Sequence, residues 1–274
     1  MPDADYAITF ACYNQVEYTR QCVKSLVASG IDLARVAAVD NGSTDGTREY
    51  LKSLALGARI FNKANLGCGV AWDQGALALQ AEWTIVMNND VLVSGGWLEG
   101  LIETARVKRW RIVSPALVEG SADYDFAGFS GEASSRMRSV CREGGRHAVC
   151  LAVHSSVWSE IGYFRPSPKL FGYEDTLFFH EADEAGIPMG ITGASWLHHF
   201  GSITLKALKE ERGLSGKQGL SDRRSYRLLG QSWLERKRRK WRQVRQRRIW
   251  REREVAEHGM SLHGLRREGA FEWI

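Results

Sequence analysis

Ile85-Val86-Met87-Asn88-Asn89-Asp90-Val91 is a short apolar run that ends in a polar, acidic cluster. A run of this length bounded by turn formers reads as a buried strand. A strand that carries a carboxylate out of a buried sheet at its C-terminal end delivers it to the crevice where open α/β sheets bind ligands. Asp90 is therefore a candidate for handling a metal or a phosphate, although Asn-Asn-Asp is also the composition of a plain turn. The flanking sequence decides between the two.

Upstream, Tyr6 to Ala11 reads as a strand and Gln15 to Ala28 as a helix, and Arg35 to Val39 is a second strand ending at Asp40. The segment Asn41-Gly42-Ser43-Thr44-Asp45-Gly46 is turn chemistry, with Thr44 or Asp45 placed to cap the helix that runs to Leu54. Ala58 to Phe61 is a strand, Gly69 to Gln80 a helix, and Trp83 to Met87 the strand that leads to Asp90. Downstream come a helix from about Trp97 to Val107 and a strand at Arg111 to Val113. Glu119 to Arg146, rich in Gly, Ser and charge, is expected to form loops or an irregular hairpin over the site. A strand over Ala148 to Val153 and helices over Ser155 to Ile161 and Glu174 to Ala185 follow. This alternation predicts an α/β fold, Rossmann-like, with a mainly parallel sheet and helices on both faces.

At 274 residues the chain can bury one large or two modest cores. Five cysteines without a Cys-x-x-Cys point to neither a disulfide framework nor a zinc ribbon, and fit a reducing, cytoplasmic setting. The acidic start Met1-Pro2-Asp3-Ala4-Asp5 is unlike a secretory signal, and no apolar stretch approaches the ~20 residues that span a bilayer. The net charge of +5 hides an asymmetry: from Lys206 onward there are 20 Lys or Arg against 9 Asp or Glu, so the first 205 residues sum to −6. A boundary at 205/206 is expected, with an acidic body at 1–205 and a basic, Trp- and Arg-rich helical appendage at 206–274. Trp233 to Arg251 contains no Gly or Pro. At about 100° per residue, Trp233, Leu234, Trp241, Val244 and Val255 share one arc, interrupted by Lys237, Arg248 and Arg251.

Six separated motifs recur in one order: Thr9-Phe10-Ala11-Cys12-Tyr13-Asn14, Val39-Asp40-Asn41-Gly42-Ser43-Thr44-Asp45-Gly46-Thr47, Asn65-Leu66-Gly67, Asn88-Asn89-Asp90, Gly172-Tyr173-Glu174-Asp175 and His199-Phe200-Gly201-Ser202. Together they resemble the family 2 nucleotide-sugar glycosyltransferases of the GT-A fold, over roughly Tyr6 to Thr204. The resemblance implies that Tyr13 and Asn14 line the nucleoside pocket and that Asp40 accepts a hydrogen bond from the base. It sets Asn65 and Gly67 in a turn near the diphosphate, where the N–H groups of a helix start suit phosphate oxygens, and Asp73 one turn further, near the sugar. Asn88-Asn89-Asp90 stands in place of the family's Asp-x-Asp, with Asn89 beside the donor and Asp90 as the ligand of Mg2+ or Mn2+. The His-x-Gly-Ser spacing points to His199 as a further metal ligand, with His198 as the other candidate. Imidazole tilts the choice of ion toward Mn2+. Asp175 is the implied general base for the acceptor hydroxyl, with Glu174 beside it to bind the acceptor or orient the loop. A single direct displacement inverts the anomeric centre.

The scaffold does not name the acceptor. Dense Arg with interleaved Trp supplies phosphate neutralisation and stacking surfaces, so the leading expectation is a polyanionic acceptor: a hydroxymethylated base in DNA, in a virus-infected bacterial cell. The alternative is a lipid-linked saccharide of surface polysaccharide (O-antigen, capsule or rhamnosyl type), reached by peripheral attachment to an anionic membrane surface. A third possibility is a basic helix docked on the acidic body through its apolar arc with its charges solvated, and a fourth a non-catalytic nucleic-acid-binding module. Intact Asp90, Asp175 and His199 argue against the last.

Overall fold

The computed structural model describes residues 5–166, 174–201, 203, 213 and 229–274. Gly172, Tyr173 and Ser202 of the sequence motifs, and most of 206–228, lie outside the described residues. The frame is set by three strands in parallel register, β1 (Tyr6–Cys12), β2 (Val36–Asp40) and β3 (Ala58–Phe61), with β4 (Trp83–Asn88) parallel on the other side of β1. Every residue of β2 is buried, as expected of a strand covered on both faces. β8 (Cys150–His154) runs antiparallel to β4 and leads to β6 (Ile112–Gly120).

Period-two alternation along the strands divides the core into two layers. Ile8, Phe10, Ile85 and Met87 pack with Leu26 of α1 (Val16–Ala28) and Leu98, Leu101 and Ile102 of α4 (Trp97–Lys108). Val86 and Leu151 face the opposite way, onto Trp72 of α3 (Cys68–Ala78), Val157 of α6 (Ser155–Ile161) and Phe178 of α7 (Glu174–Glu184). Contact between α3 and β1 is so close that a Cβ on Gly75 would lie 1.9 Å from the Thr9 hydroxyl. Between α1 and α3, α2 (Thr47–Ser53) follows the turn after β2.

At β6 the single sheet branches. This strand pairs along its length with β9 (Met189–His199), parallel, with a register shift after Pro115, and β9 carries β5 (Val91–Val93) and β7 (Cys141–Glu143) antiparallel. Glu119 to Arg146 therefore departs from the expected loop: it holds the end of β6, the helix α5 (Phe126–Met137) and β7. Gly128, Gly131 and three serines lower the apparent helix propensity of α5. Yet Phe126, Ser130, Ala133 and Met137 keep a helical spacing and are buried, and the Asp125 side chain caps the start by accepting from Gly128 N–H.

The C-terminal region is partly the expected helix. α8 (Trp233–His258) opens on a capping box between Ser232 and Glu235 and closes on Gly259 in the left-handed region. Beyond it the chain forms a hairpin that the sequence reading did not foresee, β10 (His263–Arg267) and β11 (Ala270–Trp273), joined by Glu268-Gly269 with both φ positive. β10 adds parallel to Leu117–Gly120 of β6, so the last residues extend the main sheet. Met260, Leu262, Phe271 and Trp273 pack with α5 and with Trp196 of β9. The apolar arc of α8 does not dock: Trp233, Leu234, Trp241 and Val244 are 57–64% exposed.

Candidate active site

Strand and helix ends converge on one cavity of about 740 Å³. Tyr13 enters it from the loop after β1, Asn41 from the loop after β2, Asn65 and Cys68 from the start of α3, and Asn88, Asn89 and Asp90 from the end of β4. Glu174 and Asp175 enter from the N-terminus of α7, Glu119 from the end of β6 and His199 from the end of β9. Arg239, Gln243 and Arg247, spaced one turn apart on α8, close the wall.

Asp90 is held by its surroundings. Its backbone carbonyl accepts from Phe200 N–H at 3.0 Å, one carboxylate oxygen accepts from Ile203 N–H at 3.2 Å, and the other lies 3.4 Å from His199 Nε2. His199 Nδ1 is 3.0 Å from Glu119, whose second oxygen is 3.0 Å from His263 Nε2 on β10. Burial acts to lower the His199 pKa, but Asp90 and Glu119 outweigh it and raise it from 6.5 to about 9. Hydrogen bonds from His199 and His263 hold Glu119 well below the usual carboxylate range. A carboxylate on Nδ1 fixes the ring orientation, so that the proton of Nε2 faces Asp90 and, once that proton is displaced, the Nε2 lone pair does. This donor pair, one hard oxygen and one imidazole nitrogen, suits a divalent ion in place of the shared proton. Among the described residues no group of three or more His, Cys, Asp or Glu could hold a metal, and an ion at this pair would complete its shell with other oxygen donors, such as those of a bound diphosphate or water.

His198 points away from the cavity, as the alternation of a strand requires. It packs among Tyr124, Phe126 and Phe200, its Nδ1 is 3.0 Å from the Tyr124 hydroxyl, and burial lowers its pKa to about 4.

At the opposite wall, Asp175 accepts from the N–H of Thr176 at 2.7 Å, and burial raises its carboxyl above the usual range. Glu174 packs on α3, where a Cβ added at Gly69 would come within 3.1 Å of the Glu174 Cβ. Here α3 has to be bare.

Four other expected residues do not line the cavity. Asp40 is fully buried, and its carboxylate is occupied by Arg48 Nε at 2.6 Å and by Ser43 N–H at 3.1 Å, so the adjacent Asn41 forms the wall. Asn14 ties two loops together, its N–H donating to Ser43 Oγ and its side chain accepting from Thr44 N–H. Gly67 caps α3 at φ 89°, ψ 161°, a conformation only glycine adopts readily, and Asn65 accepts from its N–H. Asp73 accepts from Phe164 N–H at 3.1 Å, and burial raises its pKa to about 7. Its place is under the site. Asp45, read as a cap, accepts from the N–H and hydroxyl of Thr47.

Glu119, His147, His263 and the α8 trio escaped the sequence reading. His147 lines the cavity with its Nε2 2.8 Å from the Pro115 carbonyl, and burial lowers its pKa to about 4, so it is neutral there and presents Nδ1 as an acceptor. No local pattern marks these residues: Glu119, His147 and the α8 trio reach the cavity only through strand or helix packing, and His263 joins the site only through Glu119.

Among curated proteins, none matches the chain by sequence. Solved structures that share its fold include GalNAc-T7 with UDP, GalNAc and Mn2+, at 14% identity and a TM-score of 0.57, covering 72% of this chain and 44% of that one. A mannosyltransferase from Pyrobaculum calidifontis in complex with GDP-Man and Mn2+ matches at 16% and 0.56, covering 77% and 63%, and S. aureus TarS at 15% and 0.52, covering 73% and 60%. The chain thus spans about half to two thirds of the length of these structures, and the shared architecture is the GT-A fold. The family model described as Glycosyl transferase family 2 matches residues 8–167, more than half of the sequence, and the chain belongs to that family.

Proposed function

We propose that the chain transfers a sugar from a nucleotide-sugar donor to a hydroxyl acceptor with inversion, assisted by a divalent ion at Asp90 and His199. The observation that carries this reading is the meeting in one cavity of Asp90, His199 and Asp175. Structures of the same fold are described with UDP or GDP-Man and with Mn2+, which supports a nucleotide sugar and a divalent ion here. When bound, the ion offsets the charge that develops on the departing diphosphate. Tyr13, Asn41 and Asn65 line the nucleoside side, with Asp40 acting through the turn it shares with Ser43 and Arg48. The start of α3 offers backbone N–H groups to phosphate oxygens. Asp175, its pKa raised by burial, is a stronger base than an exposed carboxylate and takes the acceptor proton, and Glu174 orients the acceptor.

Two acceptors bring phosphates to Arg239 and Arg247: a hydroxymethylated base in DNA, and a lipid-linked saccharide of surface-polysaccharide synthesis. Exposure of Leu234 and Val244 alongside Trp233 and Trp241 favours the second, because aliphatic side chains gain nothing from stacking on bases. The test is a pair of variants. Asp90→Ala should lose Mn2+-dependent binding of nucleotide sugars by calorimetry. Asp175→Asn should bind the donor normally while transfer falls at least ~100-fold. Normal turnover by Asp175→Asn would move the base elsewhere, with Glu174 next in line.

A further inference from the structure

α8 has two working faces. Arg239, Gln243 and Arg247 look into the cavity, and further along the same side Trp250, one turn on, lies against the Arg142 guanidinium while Glu254, two turns on, is buried in a salt bridge with Arg142. At about 100° per residue, Trp233, Leu234, Trp241 and Val244 fall in an arc roughly a third of a turn away from that side. Nothing in the described structure covers them, since they are 57–64% exposed.

We propose that this outward face docks on an anionic lipid bilayer and holds the mouth of the cavity beside the headgroups. The inference deepens the lipid-linked reading of the acceptor and rests on it. Charge complementarity argues for the occupant: the 26 residues of α8 carry eleven Lys or Arg against four Glu. The basic groups are interleaved with the arc. Lys237 Nζ sits 4.0 Å from the centroid of the Trp233 ring, and the Arg245 guanidinium 5.6 Å from that of Trp241. Long basic side chains of this kind lay their stems along an apolar stripe and raise their charges to the headgroups, while indole prefers the interface between them. The arc is too thin to insert without the charges, so binding requires anionic lipid and weakens with salt. A second copy of the chain is disfavoured as the occupant because two helices of this charge repel.

The experiment is sedimentation of the full-length protein with vesicles of phosphatidylglycerol and phosphatidylcholine in equal parts, against vesicles of phosphatidylcholine alone. Binding is expected only to the first. The triple variant Leu234→Ser, Trp241→Ser, Val244→Ser should weaken it by ~10-fold or more. The double variant Lys237→Glu, Arg248→Glu should do the same. Mn2+-dependent nucleotide-sugar binding, unchanged in both, shows that they remain folded. No sedimentation with anionic vesicles, or equal sedimentation of wild type and both variants, overturns the docking surface. Preferential, variant-sensitive binding to duplex DNA overturns it in favour of nucleic acid, and variant-sensitive self-association in favour of a dimer. Transfer of labelled sugar into a bacterial lipid extract is scored separately, so loss of the lipid-linked acceptor is distinguishable from loss of docking.

Discussion

Asp73 shows how a buried acid at the base of a site makes stability depend on pH. Its pKa rises from 3.8 to about 7 because burial penalises the carboxylate, against one N–H from Phe164. Between those pH values the native state keeps a proton that the unfolded chain has already released. The contribution is therefore favourable near pH 4, declines as pH climbs toward about 7, and stays low above it. Asp73→Asn keeps an acceptor for Phe164 and removes the titration. Its Tm should exceed that of the wild type at pH 8 and match it at pH 4, and an equal difference at both pH values would rule this account out. The same residue marks a limit of reading motifs: Asp40 and Asp73 stand where the family resemblance expects donor contacts, but Arg48 and Phe164 engage them first. The meeting of Asp90, Asp175 and His199 in one cavity was legible because each lies at a strand or helix end inside a local pattern. Glu119 and His263 were not, because an isolated Glu and a His in a charged tail acquire meaning only when β10 pairs with β6.

Elements that alternate apolar strands with helices are readable, and β1 through β4 and then α4 follow the expected order, with only the short β5 unforeseen between them. Elements without a clean apolar period are not: the Gly and Ser of α5 read as loop, and the charged stretch that holds β10 and β11 reads as a continuation of the helical tail. α8 was read correctly as a helix from its lack of Gly and Pro, whereas the face it uses could not be. Its attachment is electrostatic: Glu254 accepts both Arg142 Nε and Nη2 at 2.8 Å, and also Leu262 N–H at 2.9 Å, with Arg142 and Glu254 both nearly inaccessible. Removing one member strands the other charge in the core. Glu254→Ala should cost about 3–5 kcal/mol in urea denaturation, far beyond what any exposed Arg–Glu pair of α8 is worth.

At the level of the whole molecule, charge and covalent order mislead about organisation. The charge step at residue 206 separates two compositions, yet residues beyond it supply Glu254 to β7, His263 to Glu119 and two strands to the main sheet. Deleting residues 232–274 should therefore give an unstable or aggregating protein, seen as loss of a cooperative thermal transition. A stable truncated form that still binds nucleotide sugars with Mn2+ would show the opposite. The bond from His263 to Glu119 joins residues 144 apart in sequence. During synthesis, most of the chemistry-bearing side chains emerge long before that bond can close. The shell around His199 stays incomplete until the chain has passed residue 263, so a partly made polypeptide is expected to be inactive however much of its α/β core has already condensed.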